Sequence, residues 1–243
     1  MFKFNFMKKV ALITGASKRI GRAMAEHLAT MGYSIALHCN SSIKEALATQ
    51  KTLKKKKVPC EIFQADLTVE TKAASLINQV KAKFKRIDVL INNASTFTPS
   101  ALKTISNEQL NQNINIHLKV PVILSKEFAR VTKKGNIINI LDTNISKNKT
   151  KYFSYLLSKK ALESLTKLSA VELAPHIRVN AIAPGIIIPP EGKKNDHATR
   201  LAKTIPLQKK GKIENITQSL EFLLTNDFLV GETIFVDGGE HLL

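Results

Sequence analysis

Val10-Ala11-Leu12-Ile13-Thr14-Gly15-Ala16-Ser17-Lys18-Arg19-Ile20-Gly21 is the stretch that decides the fold. Four apolar residues form a strand-sized run, a short loop turns at Gly15, and a segment of helical spacing begins at Ile20 and ends at Gly32. A loop that leaves a strand and opens a helix presents unpaired N–H groups to an anion, which suits a dinucleotide pyrophosphate. Gly15 allows the tight turn and Gly21 a close approach of helix to sheet or ligand.

Outward from this unit, the same alternation fills the chain. Strands are predicted at Ser34 to His38, Glu61 to Gln64, Val89 to Ile91, Asn136 to Leu141, Ile177 to Ile182 and Thr233 to Val236. Helices are predicted over Ile43 to Leu53, Val69 to Phe84, Asn107 to Val131 and Tyr152 to Leu173. Strands apolar throughout, alternating with helices, argue for a parallel sheet covered on both faces. The expected architecture is one doubly wound α/β domain of the Rossmann type with seven parallel strands, spanning residues 9–243 behind an N-terminal overhang at 1–8. Met7 serves as well as Met1 for a start. In such sheets ligands bind beyond the carboxyl ends of the strands, where the motifs of this chain fall.

The 243 residues are 44% hydrophobic, enough for a core, and the apolar runs are shorter than the roughly 20 residues of a membrane span. With no secretory signal pattern, the reading is cytoplasmic. Cys39 and Cys60 are expected at opposite edges of the sheet as free thiols, and no metal site is expected. The net charge of +18 invites a nucleic-acid partner. However, the lysines are scattered over loops and helix ends, including 54–57, 133–134, 193–194 and 209–210, without interleaved aromatics. Neither nucleic acid nor membrane is expected as a partner.

The strand ends carry the chemistry. Asn40, Ser41 and Ser42 follow the second strand, with no acidic residue before Glu45, so with Lys18 they favour the 2′-phosphate of NADPH over the free ribose of NAD. Asp66 and Leu67 follow the third strand, and Asp66 or Thr68 also suits a helix N-cap. Asn93, Ala94, Ser95 and Phe97 follow the fourth. Asp142 follows the fifth, thirteen residues before Tyr155. Tyr155 and Lys159, four apart on a helix, share one face, and the ammonium lowers the cost of tyrosinate. Pro184 and Gly185 follow the sixth strand, and 186–206 reads as a loop-rich lid.

These motifs resemble the short-chain dehydrogenase/reductase family, whose signatures are a TGxxxGxG loop, NNAG and YxxxK. Arg19 in place of the middle glycine, Ser95 in place of the last glycine of NNAG, and Asp142 in place of the usual serine resemble the branch of pteridine reductases and bacterial dihydromonapterin reductases. The resemblance covers about Lys9 to Leu242. It implies Asp142, Tyr155 and Lys159 as catalytic residues, and Arg19, Ser95, Phe97, Asp142 and Tyr155 around a pterin. It implies Gly15, Ser17, Lys18, Arg19, Ile20, Gly21, Asn40, Ser41, Ser42, Asp66, Leu67, Asn93, Ala94, Tyr155, Lys159, Pro184 and Gly185 around NADPH, and a homotetramer. Bland alternatives stand beside it: a surface role for Arg19, a core role for Phe97, a cap or loop role for Asp142. His117 fits a relay and a core histidine equally. The competing functions are a 3-oxoacyl-carrier-protein or other ketone reductase, and a basic nucleic-acid-binding protein that has kept the fold.

Overall fold

The computed structural model describes residues 8–188 and 195–243. Of the expected overhang only Lys8 falls among them. Seven strands, β1 (Val10–Ile13), β2 (Ser34–Cys39), β3 (Cys60–Gln64), β4 (Val89–Asn92), β5 (Gly135–Ile140), β6 (Ile177–Pro184) and β7 (Thr233–Val236), form a single sheet in the order β3-β2-β1-β4-β5-β6-β7. Every pairing is parallel. The order reverses between β1 and β4, which opens the crevice at their carboxyl ends.

Alternation along each strand feeds two cores. Ala11 and Ile13 pack with Met24 and Leu28 of helix α1 (Arg19–Thr30), on the face that also carries Ile216, Leu220 and Leu223 of α8 (Ile213–Thr225). Val10 and Leu12 face the other way, against Leu76 and Val80 of α3 (Glu70–Phe84) and Leu124 and Phe128 of α5 (Val120–Val131). This is the period-two division expected of strands buried on both faces. Helices α2 (Ile43–Lys55), α4 (Asn107–Ile114), α6 (Phe153–Leu173) and α7 (Asn195–Ala202) complete the set among the described residues.

One expectation is corrected, one is refined and one element was not foreseen. The single helix over 107–131 is two α-helices joined by a π turn at Asn115–Lys119. Pro121 has no N–H to give to the carbonyl four residues back, and a wider turn accommodates that gap. The segment 186–206, expected to be loop-rich, also carries α7; 189–194 fall outside the described residues. Helix α8 was not expected at all. The cysteines behave as expected: both are buried and free, with Cys39 beside Gln64 and Cys60 beside Ile35 in the register.

Candidate active site

The loop after β1 is held from three sides. The Thr14 hydroxyl donates to the Ile91 carbonyl and accepts from the amides of Asn93 and Ala94, at 3.2, 2.9 and 2.9 Å. The Asn93 amide nitrogen donates back to the carbonyls of Thr14 and Gly15 at 2.8 and 3.1 Å. Asn93, expected around the cofactor, therefore spends its side chain on the shape of the loop. Beneath it, the Gly15 N–H donates to His38 Nδ1 at 3.2 Å, so His38 carries its proton on Nε2, which donates to the Ala65 carbonyl at 3.0 Å. Burial lowers the pKa of His38 and keeps it neutral. A histidine in an otherwise apolar strand was the one available signal for this residue, and sequence reasoning passed over it.

Gly15 has φ of 62°, a left-handed turn that favours glycine. At Gly21 the constraint is space: an added Cβ would lie 2.3 Å from the Gly15 carbonyl oxygen and 2.7 Å from Asn93 Nδ2. Gly21→Ala is expected to cost about 1–3 kcal/mol of stability through this backbone clash. Thermal unfolding with and without NADPH checks it: the melting temperature falls, and the upward shift given by NADPH shrinks with the distorted loop. Arg19, at the place of the middle glycine in the family loop, also has positive φ (56°), an unfavourable conformation for a residue with a side chain. Its Nη2 reaches the Ile188 carbonyl at 3.5 Å, across the mouth of the crevice.

The other expected nucleotide residues divide. Lys18, at the N-cap of α1, is exposed, as are Asn40 and Ser41 at the carboxyl end of β2, where Ser42 is half-buried. Ser17 and Leu67 are buried, and Ile20 packs against the core, so these offer backbone rather than side chain. Asp66 accepts from the N–H and hydroxyl of Thr68 at 3.0 and 2.7 Å, a turn closed two residues on rather than a helix cap, and these bonds lower its pKa. Gly185 abuts Asp237, where a Cβ would come within 2.5 Å of the Asp237 Cβ, and Pro184 closes β6 beside it.

At the end of β5, the Tyr155 hydroxyl donates to Asp142 Oδ2 at 2.9 Å. Asp142 Oδ1 accepts from the backbone and side-chain N–H groups of Asn144 at 2.8 and 2.7 Å, capping the short turn Thr143–Ser146. Lys159 Nζ donates to the Ile140 carbonyl at 2.7 Å and stands 5.8 Å from the Tyr155 ring centroid. Burial lowers the Lys159 pKa to about 8, against the raising effect of Asp142. Tyr155 moves the opposite way from the sequence expectation. Burial first, then the charge and hydrogen bond of Asp142, raise its pKa well above the usual value, so it remains a phenol.

Asp142 is steadied from the far end of the chain. The adjacent Thr143 hydroxyl donates to Asp237 Oδ2, whose carboxylate also accepts from the Gly239 and His241 amides at 3.0 and 2.7 Å. On the other side, Phe97 stacks on Tyr152 with centroids 4.3 Å apart and sets its edge against Tyr155 at 4.8 Å. Phe97 is 44% exposed, which disposes of the core reading. Ser95 lies between it and His117, with its Oγ 2.8 Å from His117 Nε2.

A parallel sheet with a phosphate-ready loop at its switch point, and a buried Tyr155–Lys159 pair beside the half-buried Asp142 one strand over, defines an oxidoreductase-type dinucleotide domain. Comparison with known proteins is specific. A family model described as enoyl-(acyl carrier protein) reductase matches residues 15–241. The 3-oxoacyl-[acyl-carrier-protein] reductase FabG of Staphylococcus epidermidis is 31% identical, over 97% of this chain and 100% of its own length. Among solved structures, FolM alternative dihydrofolate reductase 1 from Brucella canis, complexed with NADP, superposes with a TM-score of 0.93 at 33% identity, covering 98% of this chain and 95% of that one. The Brucella suis protein of that name, also in complex with NADP, gives 0.93 and 33%, over 97% and 96%. The chain belongs to the short-chain dehydrogenase/reductase family of oxidoreductases.

Proposed function

We propose that this protein is an NADPH-dependent reductase of a pterin, either a dihydromonapterin or a related dihydropteridine, with dihydrofolate as a further substrate. The observation that carries the reading is the 2.9 Å hydrogen bond between the Tyr155 hydroxyl and Asp142. A carboxyl group there gives the tyrosine a partner that exchanges protons with water, which suits protonation of a ring nitrogen during C=N reduction. The alternative dihydrofolate reductases among the structural neighbours support the same reading.

When bound, NADPH supplies the hydride. The N–H groups at the start of α1 and the cluster of Lys18, Asn40, Ser41 and Ser42 hold its phosphates. Lys159 binds the nicotinamide ribose and offsets negative charge on Tyr155. Asp142, on taking a proton from solvent, would free the Tyr155 hydroxyl hydrogen from their shared hydrogen bond; Tyr155 would give that proton to the substrate, and Asp142 would return its own to the tyrosine oxygen. Arg19 at the rim and Phe97 at the face hold the flat ring. Leu168 and Val171 on α6, 70% and 83% exposed, give the outer face of that helix the apolar surface a homotetramer would bury, in a cytoplasmic protein.

The buried lysine sets the pH response. The Lys159 ammonium is present below about pH 8 and lost above it, while the Tyr155 phenol persists. The pH profile of kcat/KM, which reports the free enzyme, is expected to fall above about pH 8. Lys159→Arg should move that descent to higher pH, because guanidinium stays charged.

The alternative, a 3-oxoacyl-carrier-protein reductase, is favoured by the full-length likeness to FabG. Competition binding separates the two. A 2,4-diaminopteridine should bind the NADP-saturated protein and be displaced by dihydrofolate. Displacement by an acetoacetyl thioester, with no diaminopteridine binding, would favour the ketone reductase.

A further inference from the structure

His117 sits in the π turn between α4 and α5, 1% exposed, with its ring edge-on to Tyr155 at 5.3 Å. Three hydrogen bonds fix where its proton lies. On one side, the Ser158 hydroxyl donates to the Tyr155 carbonyl at 2.7 Å, so its only hydrogen is committed. His117 Nδ1, 2.9 Å from that same oxygen, must therefore be the donor. On the other side, the Thr96 N–H donates to Nε2 at 3.3 Å, which requires Nε2 to be an acceptor. Both sides give the same neutral tautomer, with the proton on Nδ1. Burial and the nearby Lys159 lower the His117 pKa to about 2, so the ring stays neutral.

The consequence falls on Ser95. Its Oγ lies 2.8 Å from Nε2 and 3.2 Å from the Thr96 carbonyl, and both of these accept. The single Ser95 hydrogen is thus held inside the protein whichever partner it takes. Ser95 itself is exposed at the end of β4, beside Phe97 and Tyr155, so only its lone pairs remain for a ligand.

We infer that His117 is a specificity-determining positioning residue: it makes Ser95 an acceptor-only group at the substrate mouth, so that the site selects a ligand presenting an N–H donor there and disfavours one presenting a bare carbonyl. The inference rests on the pterin reading for its choice of ligand, since an aminopteridine edge carries such donors and a 3-oxoacyl chain ends in acceptors at its reacting centre. A mismatched Ser95 leaves two acceptors face to face, a desolvated contact with no hydrogen between them.

Two readouts test it. In protein labelled with nitrogen-15 at histidine, the His117 ring (assigned by its loss in His117→Phe) should show the Nδ1–H tautomer and no titration between about pH 5 and pH 8. In steady-state kinetics with dihydrobiopterin, Ser95→Ala and His117→Phe should raise KM about three- to tenfold with kcat within about twofold. His117→Gln, whose carbonyl still accepts from Ser95, should restore KM, and it keeps the inference testable if the phenylalanine variant does not fold. A proton on Nε2, a ring that titrates near neutrality, or a fall in kcat at unchanged KM overturns the inference while parent turnover of pterin leaves the proposed function standing. A parent protein that reduces no pterin overturns the proposed function before any variant is made, and the choice of ligand falls with it.

Discussion

Replacing Tyr155 with phenylalanine lowers kcat for pterin reduction by about 10²- to 10⁴-fold, the range in which a positioned general acid contributes. The size follows from the lack of a substitute. Tyr155 is 6% exposed, and its hydroxyl is hydrogen-bonded to the half-buried Asp142 at 2.9 Å. Lys159 does not stand in, because one of its three N–H groups goes to the Ile140 carbonyl at 2.7 Å and the ammonium is assigned to the ribose and to offsetting charge on the tyrosine. Of the residues placed around pterin and NADPH only Tyr155 changes, and it keeps its ring contacts with Phe97 and His117, so KM for both should remain within a few-fold. The fold should survive, since the ring stays in place against Phe97 and His117 and Asp142 keeps both Asn144 contacts. Steady-state kinetics beside a thermal unfolding curve check both halves; a kcat within tenfold of the parent would remove Tyr155 from the proton path.

Asp142→Ser separates the two candidate chemistries. Serine also caps a turn through its side-chain oxygen, so the segment Thr143–Ser146 should hold. What changes is charge. Asp142 raises the Tyr155 pKa through its charge and its hydrogen bond; removing the carboxylate lowers that pKa and takes away the group that exchanges protons with water. Pterin turnover is expected to fall about 10- to 100-fold, while any turnover of an acetoacetyl thioester stays level or rises. The check is the ratio of the two kcat/KM values in parent and variant. Equal loss on both substrates would mean that the carboxylate serves the fold or the tyrosine generally, without regard to the reacting bond.

The strands were legible because burial on both faces leaves apolar runs such as Val10–Ile13 and Val89–Ile91. The loop after β1 was legible because strand, glycine turn and helix are contiguous in sequence. Helix α8 was not, although Ile216, Leu220 and Leu223 mark a buried stripe. It starts at a lysine, without a preferred capping residue, after the basic stretch 209–212. The π turn escaped for a different reason: Pro121 signalled a disturbance, but widening, kinking and ending the helix share that signal.

Within the site, residue identity was easier to read than orientation. Asn93 and Asp66 stand at strand ends, where a polar side chain serves a loop or a ligand equally well; both serve loops here. The i, i+4 pairing of Tyr155 with Lys159 was visible and suggested a tyrosinate. The opposing carboxylate sits thirteen residues earlier, and its effect depends on a 2.9 Å distance that no spacing rule supplies. The Asp237 contact to Thr143 joins residues 94 apart and left no local trace.

The most direct measurement is the rate of NADPH oxidation by the purified protein with dihydromonapterin, dihydrobiopterin, dihydrofolate and an acetoacetyl thioester side by side. The account predicts turnover of the pterins with kcat/KM well above that for the thioester. Turnover of the thioester alone would contradict it and leave Arg19, Ser95 and Asp142 without a role in a carbonyl reductase.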